Sequence, residues 1–467
     1  MSFFTKAISL FRLFKQALKG VEQNYTSGSI DKAIFMLSIP MILEMSMESL
    51  FAVVDAFYVS RLGVDALATV SLTESVLTLV YSLAIGLSMG ATAMVARRVG
   101  EGDIPAAAKA GVQAIYLAVG ISIAISIVGL FFSENILGLM GASESVIASG
   151  SGYTRWMLGG NITVMLIFLI NAIFRGAGDA SLAMRVLILS NALNIILDPI
   201  FIFGFGPIPA FGVEGAAIAT TIGRGIGVLY QISHLIYGKG LIKIHRQNLP
   251  IDFGLIGRLI KVSAGGTGQF IIASASWIFL VRIVSTFGSE ALAGYTIAIR
   301  VIVFAILPAW GMANAAATLV GQNLGAGQPE RAEQSVWRTG FFNMLFMAFI
   351  TVTFMTLAKP IVELFTTEAV VLANATQCLQ IVAIGYIFYA YGMVVAQSFN
   401  GAGDTRTPTI LNFFAFWMFQ IPLAYVLAII LNMGPKGVYV AIVVAESALA
   451  VVGILIFRRG KWKTVKI

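Results

Sequence analysis

The sequence predicts an all-α polytopic membrane protein: twelve transmembrane helices in two six-helix lobes related by a pseudo-twofold axis along the membrane normal. Three observations predict it. Apolar runs of about 20 residues, enough to cross roughly 30 Å of hydrocarbon as helix, recur along the whole chain. Lysine and arginine crowd into alternate connections. One residue pattern returns after a fixed offset of 225 residues. The composition agrees, since 58% hydrophobic and only 11% charged residues, with a mean hydropathy of +0.90, exclude an ordinary soluble domain.

Taken in order, residues 1–29 form an amphipathic segment expected on the cytoplasmic membrane surface. Phe4, Ile8, Phe11, Phe14 and Leu18 recur at helical spacing opposite Lys6, Arg12, Lys15 and Lys19. No apolar core or cleavage site of a signal peptide precedes the first run. The twelve runs are 34–60, 66–94, 106–132, 146–173, 183–205, 213–237, 255–285, 291–320, 333–358, 370–398, 408–432 and 436–457. The first six make an N-lobe over 30–238, and a basic linker over 239–254 leads to a C-lobe over 255–460. A basic tail, 461–467, ends the chain.

The net charge of +8 is placed by topology. Arg97, Arg98 and Lys109, then Arg175 and Arg185, then Lys239, Lys243 and Arg246 fall in alternate connections. The intervening connections are nearly free of positive charge. This positive-inside pattern predicts both termini in the cytoplasm, in the inner (plasma) membrane of the cell. Basic charge here implies contact with the lipid bilayer and not with nucleic acid.

The repeat makes the halves homologous. Gly176-Ala177-Gly178-Asp179 returns as Gly401-Ala402-Gly403-Asp404. The same offset pairs Gly86 with Gly311, Gly100 with Gly325, Gly102 with Gly327 and Gly212 with Gly437. Six helices per half is an even number, so the halves share one orientation. Both GAGD stretches read as a glycine turn followed by an aspartate helix cap. Gly100 and Gly102 read as turn residues.

Chemistry is sparse. A single cysteine, Cys378, excludes a disulfide framework. No Walker, HExxH or CxxC pattern occurs, so no ATPase, catalytic site or organic cofactor is expected. The informative groups are acids inside the first run, where a carboxylate is expensive and marks an ion or substrate path. Glu44, Glu48 and Asp55 share one helical face, and Pro40 makes that helix a candidate for bending. In the fifth run Asn191, Asn194 and Asp198 share a face, with Pro199 following. Shifted by 225, Glu48 becomes Ala273, Asp55 Leu280, Asn194 Phe419, Asp198 Leu423 and Thr220 Ala445. The polar groups therefore serve something only the first half does. Asp55, Asp198 and Thr220 all fall roughly 9–12 Å below the external helix ends. Such an all-oxygen set suits a sodium ion, with Asp55, Asn194, Asp198 and Thr220 as ligands, or protons on the carboxylates. Glu48, Glu44 and Asn191 are candidates for substrate contact or proton relay, as is Tyr153 in the fourth run.

SIPMILEMSMESLFAVVDAFYVSRLG in the first run, LNIILDPIFIFGFG in the fifth and GVEGAAIAT in the sixth resemble the multidrug and toxic compound extrusion (MATE) transporters. The resemblance spans the whole chain and is nearest the prokaryotic DinF-like branch. It implies an N-lobe site for the coupling cation at Asp55, Asn194 and Asp198, with Thr220 and the Ala216 carbonyl. It also implies a nearby tyrosine, Tyr153. NorM-type members resemble one another in carrying C-lobe acids. Here those places read Ala273 and about Tyr389, so C-lobe coupling is not expected.

The resulting expectation is a monomeric secondary-active efflux antiporter, not an enzyme. It exports amphipathic, drug-like and cationic compounds in exchange for H+ or Na+ by alternating access. The alternative is a lipid or lipid-linked oligosaccharide flippase of the same superfamily, for which Arg155 and Arg300 supply positive charge.

Overall fold

A computed structural model of the chain describes residues 12–20, 25–238 and 240–467. Of the N-terminal segment, 12–19 is helical, and Ala17 packs beside Tyr25, Ala33, Ile34 and Ala180. Phe4, Lys6, Ile8 and Phe11 lie outside the described residues.

The N-lobe comprises α1 (Ile30–Val59), α2 (Val64–Gly100), α3 (Ile104–Leu139), α4 (Glu144–Gly159), α5 (Asn161–Ala177), α6 (Ala180–Phe203) and α7 (Val213–Tyr237). The C-lobe comprises α8 (Phe253–Ser285), α9 (Ser289–Gly325), α10 (Pro329–Glu363), α11 (Ala369–Ile384), α12 (Tyr386–Ala402), α13 (Arg406–Ile430) and α14 (Pro435–Arg458). Each half thus has six spans, the fourth interrupted: α4 meets α5 at Gly160, and α11 meets α12 at Gly385, 225 residues on. The second break bends the chain by 60°.

Among the described residues, ten spans are long and apolar enough to cross a membrane singly, and the bent α11–α12 pair makes eleven. The twelfth, α7, falls short of that apolarity. It carries Glu214, Arg224, Gln231 and His234, and buries Arg224 and Gln231 inside the lobe instead of showing them to lipid. Pro40 does not break α1, which runs as one helix from Ile30 to Val59. In α13, stretches of wider i→i+5 turn cover Phe413–Gln420 and Val426–Ile430.

Among the described residues one apolar core holds the N-lobe and two hold the C-lobe, while a fourth cluster packs Ala33, Leu37 and Met41 of α1 against Ala315 and Leu319 of α9. The lobes meet through α1 against α9 and α2 against α8. These two pairings exchange under the 225-residue shift, as a twofold relation requires. Small residues allow the approach. A Cβ at Gly86 would stand 2.5 Å from the Thr267 amide nitrogen, and one at Gly311 would stand 2.9 Å from that of Ile42, the partner of Thr267 in the repeat. Gly100 abuts the Gln322 carbonyl, and Gly325 abuts that of Arg97, again partners in the repeat. Gly100 is therefore a contact between lobes, not merely the turn residue expected. Gly102, with φ +78, is the turn.

The GAGD stretches form as the sequence suggests. Gly178 and Gly403 end α5 and α12 in left-handed conformations at φ +92 and +88. Asp179 accepts from the Leu182 amide to cap α6, and Asp404 accepts from the Thr407 amide. The linker folds back on the N-lobe. Asp252 caps α8 and pairs with Lys109 at 2.8 Å; that hydrogen bond and the Leu255 amide hold its carboxyl below the usual carboxylate range.

Candidate functional site

The polar groups of the N-lobe form three linked clusters inside an otherwise apolar bundle. The first joins α6 and α7. Gly223 lets α7 lie close on α6, where an added Cβ would stand 3.0 Å from the Ser190 carbonyl. That approach brings Thr220 to the face carrying Asn194 and Asp198. The Asn194 amide donates to Asp198 Oδ1 at 3.0 Å and is 3.2 Å from Thr220 Oγ1. All three side chains are buried, and Asn194 Oδ1 and Asp198 Oδ2 have no hydrogen-bond partner among the described residues. Ala216, one turn before Thr220, is fully buried.

Asp55 on α1 is buried, makes no hydrogen bond among the described residues and lies within electrostatic reach of Asp198, Glu74, Arg224 and Tyr153. The structure therefore brings Asp55 within electrostatic reach of Asp198, without a hydrogen bond to it among the described residues. Tyr153, buried on α4, faces the same field. Asn191 points elsewhere: its amide donates to the Met47 carbonyl at 2.7 Å, tying α6 to α1.

The second cluster centres on Arg224 of α7. Its guanidinium reaches Glu48 at 3.4 Å and the Tyr81 hydroxyl at 3.1 Å, and stacks over the Phe51 ring at 4.7 Å. Asp55 lies within its electrostatic reach as well. The third cluster is a buried ion pair of Glu44 with Arg175. Asn171 donates to the same Glu44 oxygen at 3.2 Å, and Gln231 donates to Asn171 at 2.7 Å.

A cavity of about 350 Å³ lies where the lobes meet. The N-lobe lines it with Met45, Glu48, Tyr81, Phe168 and Arg175, and the C-lobe with Phe270, Trp310, Asn314, Gln397 and Asn400. Met45 and Phe270 are partners in the repeat, as are Ile85 and Trp310, so the cavity sits on the pseudo-axis. Glu48 borders it; Glu44, one turn away, does not.

The lobes are hydrogen-bonded to each other at one end. Among the described residues, the direct bonds run from Arg97 to the Ala402 and Val465 carbonyls, and from Arg98 to Ile467. Others run from Thr318 to Arg175, from Gln322 to Gly176, and from Arg331 to the Tyr25, Ser27 and Gly28 carbonyls. All lie at the end bearing the linker and the tail, below the cavity. The floor is closed, and among the described residues no such bond joins the lobes at the opposite end.

Sequence reasoning did not find the Glu44–Arg175 pair, or the Arg224 bridge. A signal for the first was present: Glu44 maps to Gln269 and Arg175 to Asn400 in the repeat, polar in both halves but charged in one. Arg155, left without a partner by the sequence, lies 3.7 Å from Glu134 in an exposed pair.

A membrane-embedded bundle of two like lobes, with a cavity on their shared axis and buried acids behind one wall, defines a transporter, not an enzyme. The family model described as MatE matches residues 40–200 and 267–426, one match in each half, and the chain belongs to the MATE family of multidrug and toxic compound efflux transporters. It is 25% identical over 456 residues to a probable multidrug resistance protein NorM of Thermotoga maritima, covering 97% of both chains. It is 24% identical to a FAD transporter of Shewanella oneidensis, covering 91% of this chain and 94% of that one. A crystal structure of MATE in the straight conformation superposes with a TM-score of 0.89 at 28% identity, covering 95% of this chain and 99% of that one. An outward-facing multidrug resistance MATE transporter superposes with a TM-score of 0.88, covering 94% and 98%.

Proposed function

We propose that the protein is an antiporter that expels amphipathic, cationic compounds in exchange for H+ or Na+, with Asp55, Asn194, Asp198 and Thr220 as the coupling site. The carrying observation is the pair of buried oxygens, Asn194 Oδ1 and Asp198 Oδ2, that have no hydrogen-bond partner among the described residues, with Asp55 in electrostatic reach of Asp198. A buried acceptor without a donor costs about 1–3 kcal/mol. A proton on Asp198, or a sodium ion among these oxygens, removes that cost.

Arg224 supplies the link to substrate. Glu48 pairs with it at 3.4 Å and Asp55 also acts on its charge. A cation or proton arriving at Asp55 and Asp198 frees Arg224 to bind Glu48 more tightly. Glu48 then loses its hold on a cationic substrate in the cavity. Release to the open end follows, and the lobes rock to re-expose the cavity at the linker end. The termini and linker are assigned to the cytoplasm of the inner membrane, and the protein to a monomer, because one chain holds both lobes. A flippase for pyrophosphate-linked lipids receives less support: the one arginine at the cavity floor is already paired with Glu44.

Proteoliposomes loaded with a cationic dye test the reading. Efflux driven by an imposed pH gradient or by a sodium gradient is expected, and efflux indifferent to both rejects it.

A further inference from the structure

Toward the end opposite the linker, each lobe carries one charge that nothing in this conformation satisfies. Glu74 of α2 and Arg300 of α9 are both exposed, and their side chains make no hydrogen bond or ion pair among the described residues. They belong to different lobes, have opposite sign and lie within electrostatic reach of each other. They are also near-equivalents in the repeat, since Glu74 maps to Ile299, the neighbour of Arg300.

Both continue the helical faces that line the cavity. Glu74 precedes Thr78 by four residues and Tyr81 by seven, and Arg300 precedes Leu307 by seven and Asn314 by fourteen. The glycine contacts between lobes run from Gly86 to Gly100 on α2 and from Gly311 to Gly325 on α9. Glu74 and Arg300 lie beyond those limits, roughly 16–18 Å farther from the linker along their helices. They are nevertheless deep, ten residues after Val64 and eleven after Ser289, roughly 15 Å inside the helix ends. A charged side chain at that depth faces water or a partner and not lipid. Here the open cleft supplies the water. Closing that end removes it, and each charge then needs the other.

We infer that Glu74 and Arg300 are the gate at the end opposite the linker: an ion pair between the lobes, open in this conformation, that forms when the cavity turns to the linker side. This rests on the alternating-access reading and adds to it what holds that end shut.

Spin labels at Ser71→Cys and Thr296→Cys measure the width of the mouth. The two positions are exposed partners in the repeat about one turn outside the pair, and Cys378 is buried away from the label. The full chain in lipid nanodiscs is expected to show a long and a short distance. Glu74→Gln or Arg300→Gln leaves one charge to be buried alone, and each should lower the short population about tenfold. Glu74→Gln/Arg300→Gln leaves no charge to bury and should close better than either single variant. Single variants that elute and melt like wild type but keep its ratio of distances overturn the gate, and so does a double variant whose loss is the sum of the two. One long distance in wild type at every pH and sodium concentration removes alternating access and the gate together, whatever the variants do. Two populations that depend on the pair, with efflux indifferent to both gradients, sink only the antiport reading.

Discussion

Asp198 is the residue whose environment asks most for a ligand, because one carboxyl oxygen is satisfied by Asn194 and the other by nothing. Asp198→Asn keeps the shape, places an amide where a cation or proton would go, and should reduce gradient-driven efflux at least about tenfold. The same assay at several pH or sodium values should show a flat response; a retained gradient dependence would remove Asp198 from the coupling site. Arg224→Met should both destabilise and uncouple. It leaves Glu48 half-buried without its cation, an effect worth about 1–3 kcal/mol, so melting should fall by several degrees while residual dye movement stops tracking the gradient. A variant that melts lower yet stays coupled would mean the arginine only holds helices together.

At the scale of elements, the close contacts between lobes fall on glycines related by the repeat. Gly100 touches the Gln322 backbone and Gly325 touches that of Arg97, so neither has room for a side chain. Gly100→Val and Gly325→Val should therefore have matching effects: both pry α2 from the end of α9. Hydrogen–deuterium exchange over 318–327 is the readout, with severalfold faster exchange expected in each. A response from only one of the two would contradict the twofold relation. The linker offers a pH dependence with a definite sign. Asp252 is held below the usual carboxylate range by Lys109 and the Leu255 amide. A depressed folded value means its contribution is present above the unfolded value and lost as pH falls through the folded one. Acidification should accordingly loosen the start of α8, and Lys109→Met should remove much of that pH response in exchange measurements on 249–258.

For the whole molecule, the hydrogen bonds between lobes among the described residues lie at the linker end, and Arg97 bridges α12 and the tail there. On the proposed alternating-access reading this is one of two states to be balanced, and a few hydrogen bonds decide it. Removing a pair of charged bonds, about 1.5–3 kcal/mol each before compensation, should shift that balance by tenfold or more. Arg97→Ala is expected to raise the fraction open at the linker end, seen as new spin-label distances across the cavity floor. Unchanged distances would mean that the glycine contacts alone keep the floor shut.

The sequence by itself determined the class of fold: run length fixes helices that cross a bilayer, and an offset of 225 fixes two like lobes, because both are periodic signals carried by many residues. It also singled out Asp55, Asn194, Asp198 and Thr220, since acids amid apolar residues are rare and the second half replaces each with an apolar side chain. Glu44 was legible only as an acid on a face, since its meaning depends on Arg175, 131 residues away. What tertiary structure alone decided is pairing. It paired Arg224 with Glu48 within electrostatic reach of Asp55, turned Asn191 to a backbone carbonyl, and put Arg175, not Glu44, at the cavity. It also made Gly100 a contact between lobes. Each of these depends on which helices become neighbours and how closely they pack, and no local spacing along the chain encodes that distance.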